Sequence, residues 1–419
     1  MKKKILLHCI AFSPDGVSTA YLYNDIALQF QRSGYQVVVL TTTPHYNALP
    51  ELLQKQPLKS KWLGLYYESD FYGIKVKHVP QKKFKQSLVR IIGFAYWHVL
   101  AFCIGLFEKN IKIILSPSPP LTIGFLNILL GRLKGSKVIY NVQEIYPDFL
   151  IDQGGLKSKP IISILKSLER FVYNKSDAVT TIDAVFYEAI VLRFVEKSKL
   201  HIIPNFVDTT LYSPIEKSTL QLDTVLFPEN PSTLKLMYAG NIGHAQDWQP
   251  LIETAITIKD LPIEFFIIGE GVMKNYIYDE IKKNNLKNIH LVPYQPREQM
   301  PALIAYADLH FIFMSPDMES HGFPSKVYTI MACAKSLIVC SGENTPIYQF
   351  LNDLNCSYLI SEKNMEEKVQ KVVDILKSIT KEELELKGRS GLREIITNYS
   401  KDAVTQQYVD LANKLVDNG

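Results

Sequence analysis

Cysteine is scarce in this chain and carries no pattern. Cys9, Cys103, Cys333, Cys340 and Cys356 sit singly in apolar runs, without CxxC or Cys/His spacing. An odd number of isolated thiols excludes a disulfide framework and a zinc site, and it suits reduced thiols in the cytosol. A charge excess is missing too. Lys and Arg number 46 against 42 Asp and Glu, a formal net charge of +4. The resulting pI near 8.5 is too mildly basic to argue for nucleic acid. There is no internal repeat, heptad run or low-complexity tract, which excludes solenoids and long coiled coils. The first residues, Met1 to Phe12, have the charge of a signal peptide. Their apolar run is short, however, and Ser13-Pro-Asp-Gly16 stands where cleavage would fall, so a first β-strand is expected.

One long apolar run breaks this austerity. Residues 88–107 are nearly long enough to span a bilayer and are flanked by Lys82, Lys83, Lys85 and Arg90, with Phe84, Phe94, Tyr96 and Trp97 among them. A strand at residues 111–115 follows at once, so a buried crossover helix is the first reading. A helix docked on an anionic membrane surface is the second, and a span the third.

At 419 residues, 47% hydrophobic and 21% charged, the chain is globular and too long for one ordinary core. Short apolar strands alternate with helices, from residues 4–11 to 201–203 in the first half and from 234–239 to 358–360 in the second. This alternation predicts an α/β protein with parallel sheets and crossover helices on both faces. The polar segment 213–232, with Pro214, Pro228 and Pro231, predicts an interdomain linker. Two doubly wound, Rossmann-like domains over a cleft are expected. The first spans residues 1–210 and the second 211–395, with a last helix, 396–419, returning to the first.

The most informative stretch is His321-Gly-Phe-Pro-Ser-Lys326 with the helix expected after it, residues 327–334. A Gly-Pro turn opening a helix leaves backbone N–H groups without intrahelical partners, and with the helix dipole they favour a phosphate or diphosphate. Lys326 adds a full charge, and Thr329 shares its helix face. Gly322, Phe323, Pro324 and Ser325 complete that turn. The alternatives are a plain helix cap and a solvated lysine. Two further strands end in glycine turns, Tyr238-Ala-Gly-Asn-Ile-Gly243 and Ile268-Gly-Glu-Gly271. Gly240, Asn241, Gly243 and His244 offer close backbone approach and hydrogen-bonding groups. Three such strand ends mark the carboxyl edge of a parallel sheet, where α/β proteins bind ligands.

Taken in order, several motifs resemble the GT-B glycosyltransferases of the family-4 type, in the branch that builds bacterial O-antigen, capsule and colanic acid. They are Ser13-Pro-Asp-Gly16, Thr41-Thr-Thr-Pro-His-Tyr46, Ser116-Pro-Ser-Pro-Pro120, Asn141-Val-Gln-Glu-Ile-Tyr-Pro147, Ile203-Pro-Asn-Phe-Val-Asp208, Tyr238 to Gly243 and Pro324-Ser-Lys326. The resemblance implies retaining transfer of a sugar, without metal or other cofactor, from a nucleotide-sugar such as a UDP- or GDP-sugar. The acceptor would be a lipid-linked or oligosaccharide glycan, met at the inner face of the cell membrane. Donor contacts would come from Gly16, Gly240, Asn241, Gly243, His244, Tyr294 and Gly322 to Lys326, with Thr329. Glu144 and Gln143 would orient sugar and acceptor, Glu144 as a proton acceptor; a turn cap or an ion pair is its alternative. The family's two glutamates are replaced by His321 and Thr329, and its usual Arg and Lys after the glycine turn are missing from residues 243–247. A non-catalytic GT-B partner subunit is therefore the competing reading, and a nucleotide-sugar epimerase of the same fold a third.

Overall fold

The computed structural model describes residues 3–81, 87–152, 154–317, 319 and 323–417, with the backbone alone for 87–91. It divides into two compact units, Met1–Asn205 with Asp402–Gly419, and Phe206–Lys401. The first division falls five residues ahead of the expected position 210, and the second six residues beyond 395.

The first unit is built on a sheet of β1 (Lys4–His8), β2 (Gln36–Thr42), β3 (Lys59–Lys61), β4 (Tyr66–Phe71), β5 (Ile74–Val79), β6 (Ile111–Ser118), β7 (Lys137–Val142), β8 (Ala178–Thr181) and β9 (Leu200–Ile202). Their order is β3-β4-β5-β2-β1-β6-β7-β8-β9. The strands from β5 to β9 run parallel, whereas β3 and β4 add an antiparallel edge that the alternation of strands and helices did not announce. Parallel strands are covered on both faces, so they read as continuous apolar runs. Ile5, Leu6 and Leu7 of β1 are all buried.

Helices Ser87–Phe107, Leu121–Lys134 and Lys159–Lys175 share a core with Leu6, Ile114, Val138 and Val179 on one face of the sheet. Glycines draw them close. A Cβ at Gly105 would lie 2.6 Å from Leu130 Cδ2, and one at Gly124 would lie 2.8 Å from Val172 Cγ1. Trp97 is fully buried in this core, as the first reading of residues 88–107 as a buried crossover helix expects and as the second, a helix docked on a membrane, does not. An indole on the inward face of this apolar helix contributes about as much as any core residue, roughly 3 kcal/mol. The lysines 82, 83 and 85 and Phe84 lie outside the described residues. Among those described, no helix is long and apolar enough to cross a membrane. The last helix, Lys401–Asp417, joins this unit through Asn141 Nδ2 donating to Tyr408 Oη at 3.0 Å and Tyr35 Oη donating to Asn413 at 2.7 Å.

The second unit carries β10 (Leu234–Ala239), β11 (Ile263–Ile268), β12 (Ile289–Val292), β13 (Leu309–Phe313), β14 (Ser336–Cys340) and β15 (Ser357–Ile360). They are all parallel, in the order β12-β11-β10-β13-β14-β15. The winding reverses between β10 and β13, so the loops leaving those two strands diverge and open a crevice. Residues 213–232, expected as a linker, pack within this unit. Phe227 is buried, with its ring 5.4 Å from Tyr306 and 6.2 Å from Phe266. Helix starts here follow local chemistry: Thr345, Asn364 and Thr380 each accept a backbone N–H from the residue three positions on.

Candidate functional site

At the carboxyl edge of the second sheet the two glycine turns interlock. Gly240 N donates to Ile268 O at 2.9 Å, and Ile242 N to Glu270 O at 2.8 Å. Gly269, at φ +141°, leaves no room for a side chain, since a Cβ there would sit 2.0 Å from Gly240 O. The Gly-x-Gly spacing thus serves backbone packing first, and it brings two chain reversals to one point. Tyr294 arrives there as well: its backbone N–H donates to the Glu270 carboxylate, and its ring is exposed. Asn241 and His244 are exposed on the same turn. Gly243 is buried, its carbonyl accepting from Trp248 Nε1 at 3.1 Å.

Lys326 closes this point from the other side of the reversal. Its Nζ lies 3.5 Å from the centre of the Tyr238 ring, and a Cβ at Gly240 would lie 2.7 Å from that nitrogen. Burial pushes the Lys326 pKa down to about 7. The residue as a whole keeps some solvent contact, so the desolvation falls on the ammonium end, and the electron-rich face of Tyr238 offsets part of it. Tyr238 is itself fixed by donating to Asn241 O at 2.7 Å.

The helix that starts at Lys326 ends at Ala332, two residues short of the expected Ala334. So short a helix sums few peptide dipoles, and the ammonium is the dominant positive charge. Phe323 turns into the core, stacked 4.9 Å from Tyr328 and edge-on to Phe350 at 5.1 Å. Pro324 accepts from Val327 N at 3.0 Å, and Ser325 caps the helix start through its backbone, without a side-chain bond. Thr329 Oγ1 donates back to Lys326 O at 2.9 Å. Its proton is therefore committed, and only its lone pairs face outward. Gly322 and His321 lie outside the described residues.

In the first unit, Glu144 and Gln143 follow β7. Gln143 Nε2 donates to Asn141 Oδ1 at 2.9 Å; Asn141 also accepts from Tyr23 Oη at 2.8 Å and donates to Thr180 Oγ1 at 2.8 Å. Gln143 thus belongs to a buried polar network rather than standing free in the loop. Glu144 is half-buried, and burial raises its pKa, while a hydrogen bond with Tyr146 acts in the opposite direction. Tyr146 is pushed up to about 12, by burial first and by Glu144 second; Tyr46 lies close enough to contribute. Arg193 holds the next helix, Asp148–Asp152, by donating to Asp148 at 2.6 Å and to the buried Glu169 at 2.5 Å.

Gly16 meets the loop after β2 rather than open space: its N–H donates to Asn47 O at 2.9 Å, and a Cβ would touch Leu49 Cδ1 at 2.8 Å. The adjacent Asp15, not singled out by its sequence context, is the organising residue. Its buried carboxylate accepts the N–H groups of His45 and Tyr46 at 3.0 Å each and of Asn47 at 2.7 Å. A carboxylate flanked by Pro and Gly in a turn was the available signal. Tyr146 and Tyr238 gave none, because their roles arise from contacts outside their own segments.

This combination, two parallel-sheet units of Rossmann type with glycine turns and a lysine at a switch point, defines a GT-B glycosyltransferase fold. Solved structures of that fold superpose along the full chain. Sucrose-phosphate synthase from Thermosynechococcus elongatus matches with TM-score 0.74 at 12% identity, covering 100% of both chains. Anabaena HepE in complex with UDP-glucose matches with TM-score 0.69 at 12% identity, over 98% of this chain and 99% of that one. In sequence, residues 19–205 match the glycosyl transferase 4-like domain and residues 227–410 match glycosyl transferases group 1. The chain belongs to this family-4 type of glycosyltransferase. It is 23% identical over 358 residues to the protein named as colanic acid biosynthesis glycosyl transferase WcaI of Escherichia coli (strain K12), covering 83% of this chain and 85% of that one. It is 20% identical over 242 residues to the glycosyltransferase WbjE of Pseudomonas aeruginosa, 58% of this chain and 60% of that one.

Proposed function

We propose that this glycosyltransferase moves a hexose from a UDP- or GDP-sugar to a lipid-linked or oligosaccharide acceptor, with retention at the anomeric carbon and without metal, in the synthesis of a cell-surface polysaccharide. The observation that carries the reading is Lys326, held over Tyr238 beside the Gly240 turn, where a donor diphosphate can approach backbone and ammonium together. Negative charge grows on the leaving diphosphate during transfer, and a fixed cation at that oxygen stabilises the transition state more than the ground state. UDP-glucose bound to HepE and the colanic-acid role in the name of the Escherichia coli relative support the donor class and the product class. Glu144, raised by burial and bonded to Tyr146, would take or polarise the proton of the acceptor hydroxyl.

A chain that binds donor without transferring is the second reading, favoured by Thr329, whose hydroxyl bonds its own helix where the family carries a carboxylate. A thermal-shift screen of UDP, GDP, dTDP and ADP sugars tests donor binding; a true donor at a hundredfold excess over its Kd stabilises by about 2.7 kcal/mol. Donor hydrolysis and transfer, with and without EDTA, then separate the readings: turnover supports the enzyme, and binding without turnover supports the partner subunit.

A further inference from the structure

The first sheet has a switch point of its own. Strand β1 is flanked by β2 on one side and β6 on the other, both parallel to it. From β1 the chain steps to β2, and β6 is added later on the opposite side. The loops leaving β1 and β6 therefore diverge and open a crevice at the carboxyl edge. Aromatic rings from the strands beyond flank that edge. Tyr46, in the loop after β2, is 39% exposed and lies against the His45 ring at 4.2 Å. Tyr146, in the loop after β7, is tilted against Phe149 at 5.8 Å and holds Glu144 by a hydrogen bond. The two tyrosines are near enough for Tyr46 to act on the Tyr146 phenol, although two strands separate β2 from β7 in the sheet.

These rings are positioned before any ligand arrives. Asp15 collects the backbone N–H groups of His45, Tyr46 and Asn47, and Asn47 Nδ2 donates back to Gly16 O at 2.9 Å. Ser118 Oγ donates to Glu144 O at 3.1 Å and ties the loop after β7 to the end of β6. A surface fixed in this way gives up little side-chain freedom on binding. Charge and shape then select the ligand. The loops after β1, β2, β6 and β7 are residues 9–17, 43–49, 119–120 and 143–147; they contain no lysine or arginine, and their carboxylates are Asp15 and Glu144. A phosphate or a uronate finds no side-chain cation in them. Asp15 is taken up by three backbone donors, whereas one bond from Tyr146 leaves Glu144 with acceptor sites to spare. Aromatic faces beside such a carboxylate suit a ring that is apolar on one face and hydroxylated at its rim. The C–H groups of a pyranose, slightly positive, lie on the electron-rich face of an aromatic ring, and its hydroxyls donate to the carboxylate.

We infer that Tyr46 and Tyr146 bind the terminal sugar of the acceptor, a neutral pyranose stacked on their rings with one hydroxyl on Glu144. This rests on the proposed function and deepens it. It narrows the acceptor to a glycan that ends in an uncharged pyranose, and it excludes a bare lipid phosphate. An earlier glycosyl transfer onto the carrier must then supply the substrate, so the protein extends a sugar chain rather than starting one. Tyr46 acts in specificity, through the ring it offers, and takes no part in bond making.

Saturation-transfer NMR with octyl glucoside, octyl galactoside, octyl glucuronide and octyl phosphate at millimolar concentration tests it. Wild type is expected to saturate the ring C–H protons of a neutral pyranoside and not those of the glucuronide, and octyl phosphate should not displace the pyranoside. Tyr46→Ala should weaken pyranoside binding about tenfold, read by titrating the ring signals. Tyr46→Phe, which keeps the ring, should bind like wild type. Tyr46→Leu, apolar but not aromatic, should lose affinity as Tyr46→Ala does, and it stands in if the alanine variant does not fold. No ring saturation in wild type, equal saturation of the glucuronide, displacement by octyl phosphate, or wild-type affinity in Tyr46→Ala or Tyr46→Leu would overturn the inference. Donor-induced thermal shift of wild type is read in parallel. Ring saturation that depends on Tyr46, without a shift by any nucleotide-sugar, refutes the proposed function and leaves a sugar site standing. A donor shift without ring saturation refutes the site and leaves the proposed function.

Discussion

Replacing Lys326 by Met removes one charge and keeps most of the stem that lies on Tyr238. In the donor-free protein this lysine titrates at about 7, burial being the cause, against 10.5 for an ordinary lysine. A bound diphosphate favours the ammonium and raises that value again. The complex then holds more protons than the free protein, so donor affinity must fall as pH rises past 7 and be flat below it. The slope approaches about tenfold in Kd per pH unit, with uptake approaching about one proton per donor. A charge-assisted contact in such a site contributes about 1.5–3 kcal/mol, so Lys326→Met should weaken donor binding about tenfold to a hundredfold at pH 6.5. The variant should also flatten the pH dependence and abolish proton uptake. Folding responds with the opposite sign to donor binding. Because the folded pKa lies below the unfolded one, wild-type stability rises between pH 7 and 10.5 as the buried charge is lost, and the variant lacks that rise. Titration calorimetry in two buffers of different ionisation heat measures affinity and proton uptake together. Wild-type affinity in Lys326→Met, or no proton uptake by wild type above pH 7, would refute the reasoning.

Four other substitutions probe the same arrangement. Gly269→Ala places a Cβ 2.0 Å from Gly240 O at φ +141° and should lower stability by more than about 2 kcal/mol in chemical denaturation. Thr329→Glu should fold, tighten nucleotide-sugar binding by accepting two hydroxyl protons, and raise the pKa of Lys326, which reduces the alkaline loss of affinity; complete loss of binding in a folded protein would show that other groups hold the ribose. Glu144→Gln should cut kcat by at least about a hundredfold with donor Kd unchanged, as read by initial rates and calorimetry. Tyr146→Phe removes a bond that lowers the Glu144 pKa, so the acid limb of kcat/KM should move to higher pH.

The alternation of apolar strands and helices was legible in the residues because parallel strands are buried on both faces and cannot hide their composition. Glycines 240, 269 and 271 were legible as turns for a similarly local reason: each has a positive φ that other residues tolerate poorly. Order along the chain also disclosed the family, since motifs at strand ends follow from one winding of the sheet. The antiparallel edge was not legible, because Lys59-Ser-Lys61 is a fully exposed strand with no apolar period. Nor was the inward turn of Trp97, since an apolar helix looks alike on both sides until a sheet covers one of them. Only tertiary structure set Lys326 on Tyr238, turned the Thr329 hydroxyl to its own helix and gave Asp15 three backbone donors from the next loop. Local sequence dictates what each segment can form, because φ/ψ preference and burial period act over a few residues. Which side chains meet, and which face stays open, is decided by contacts between segments far apart in the chain.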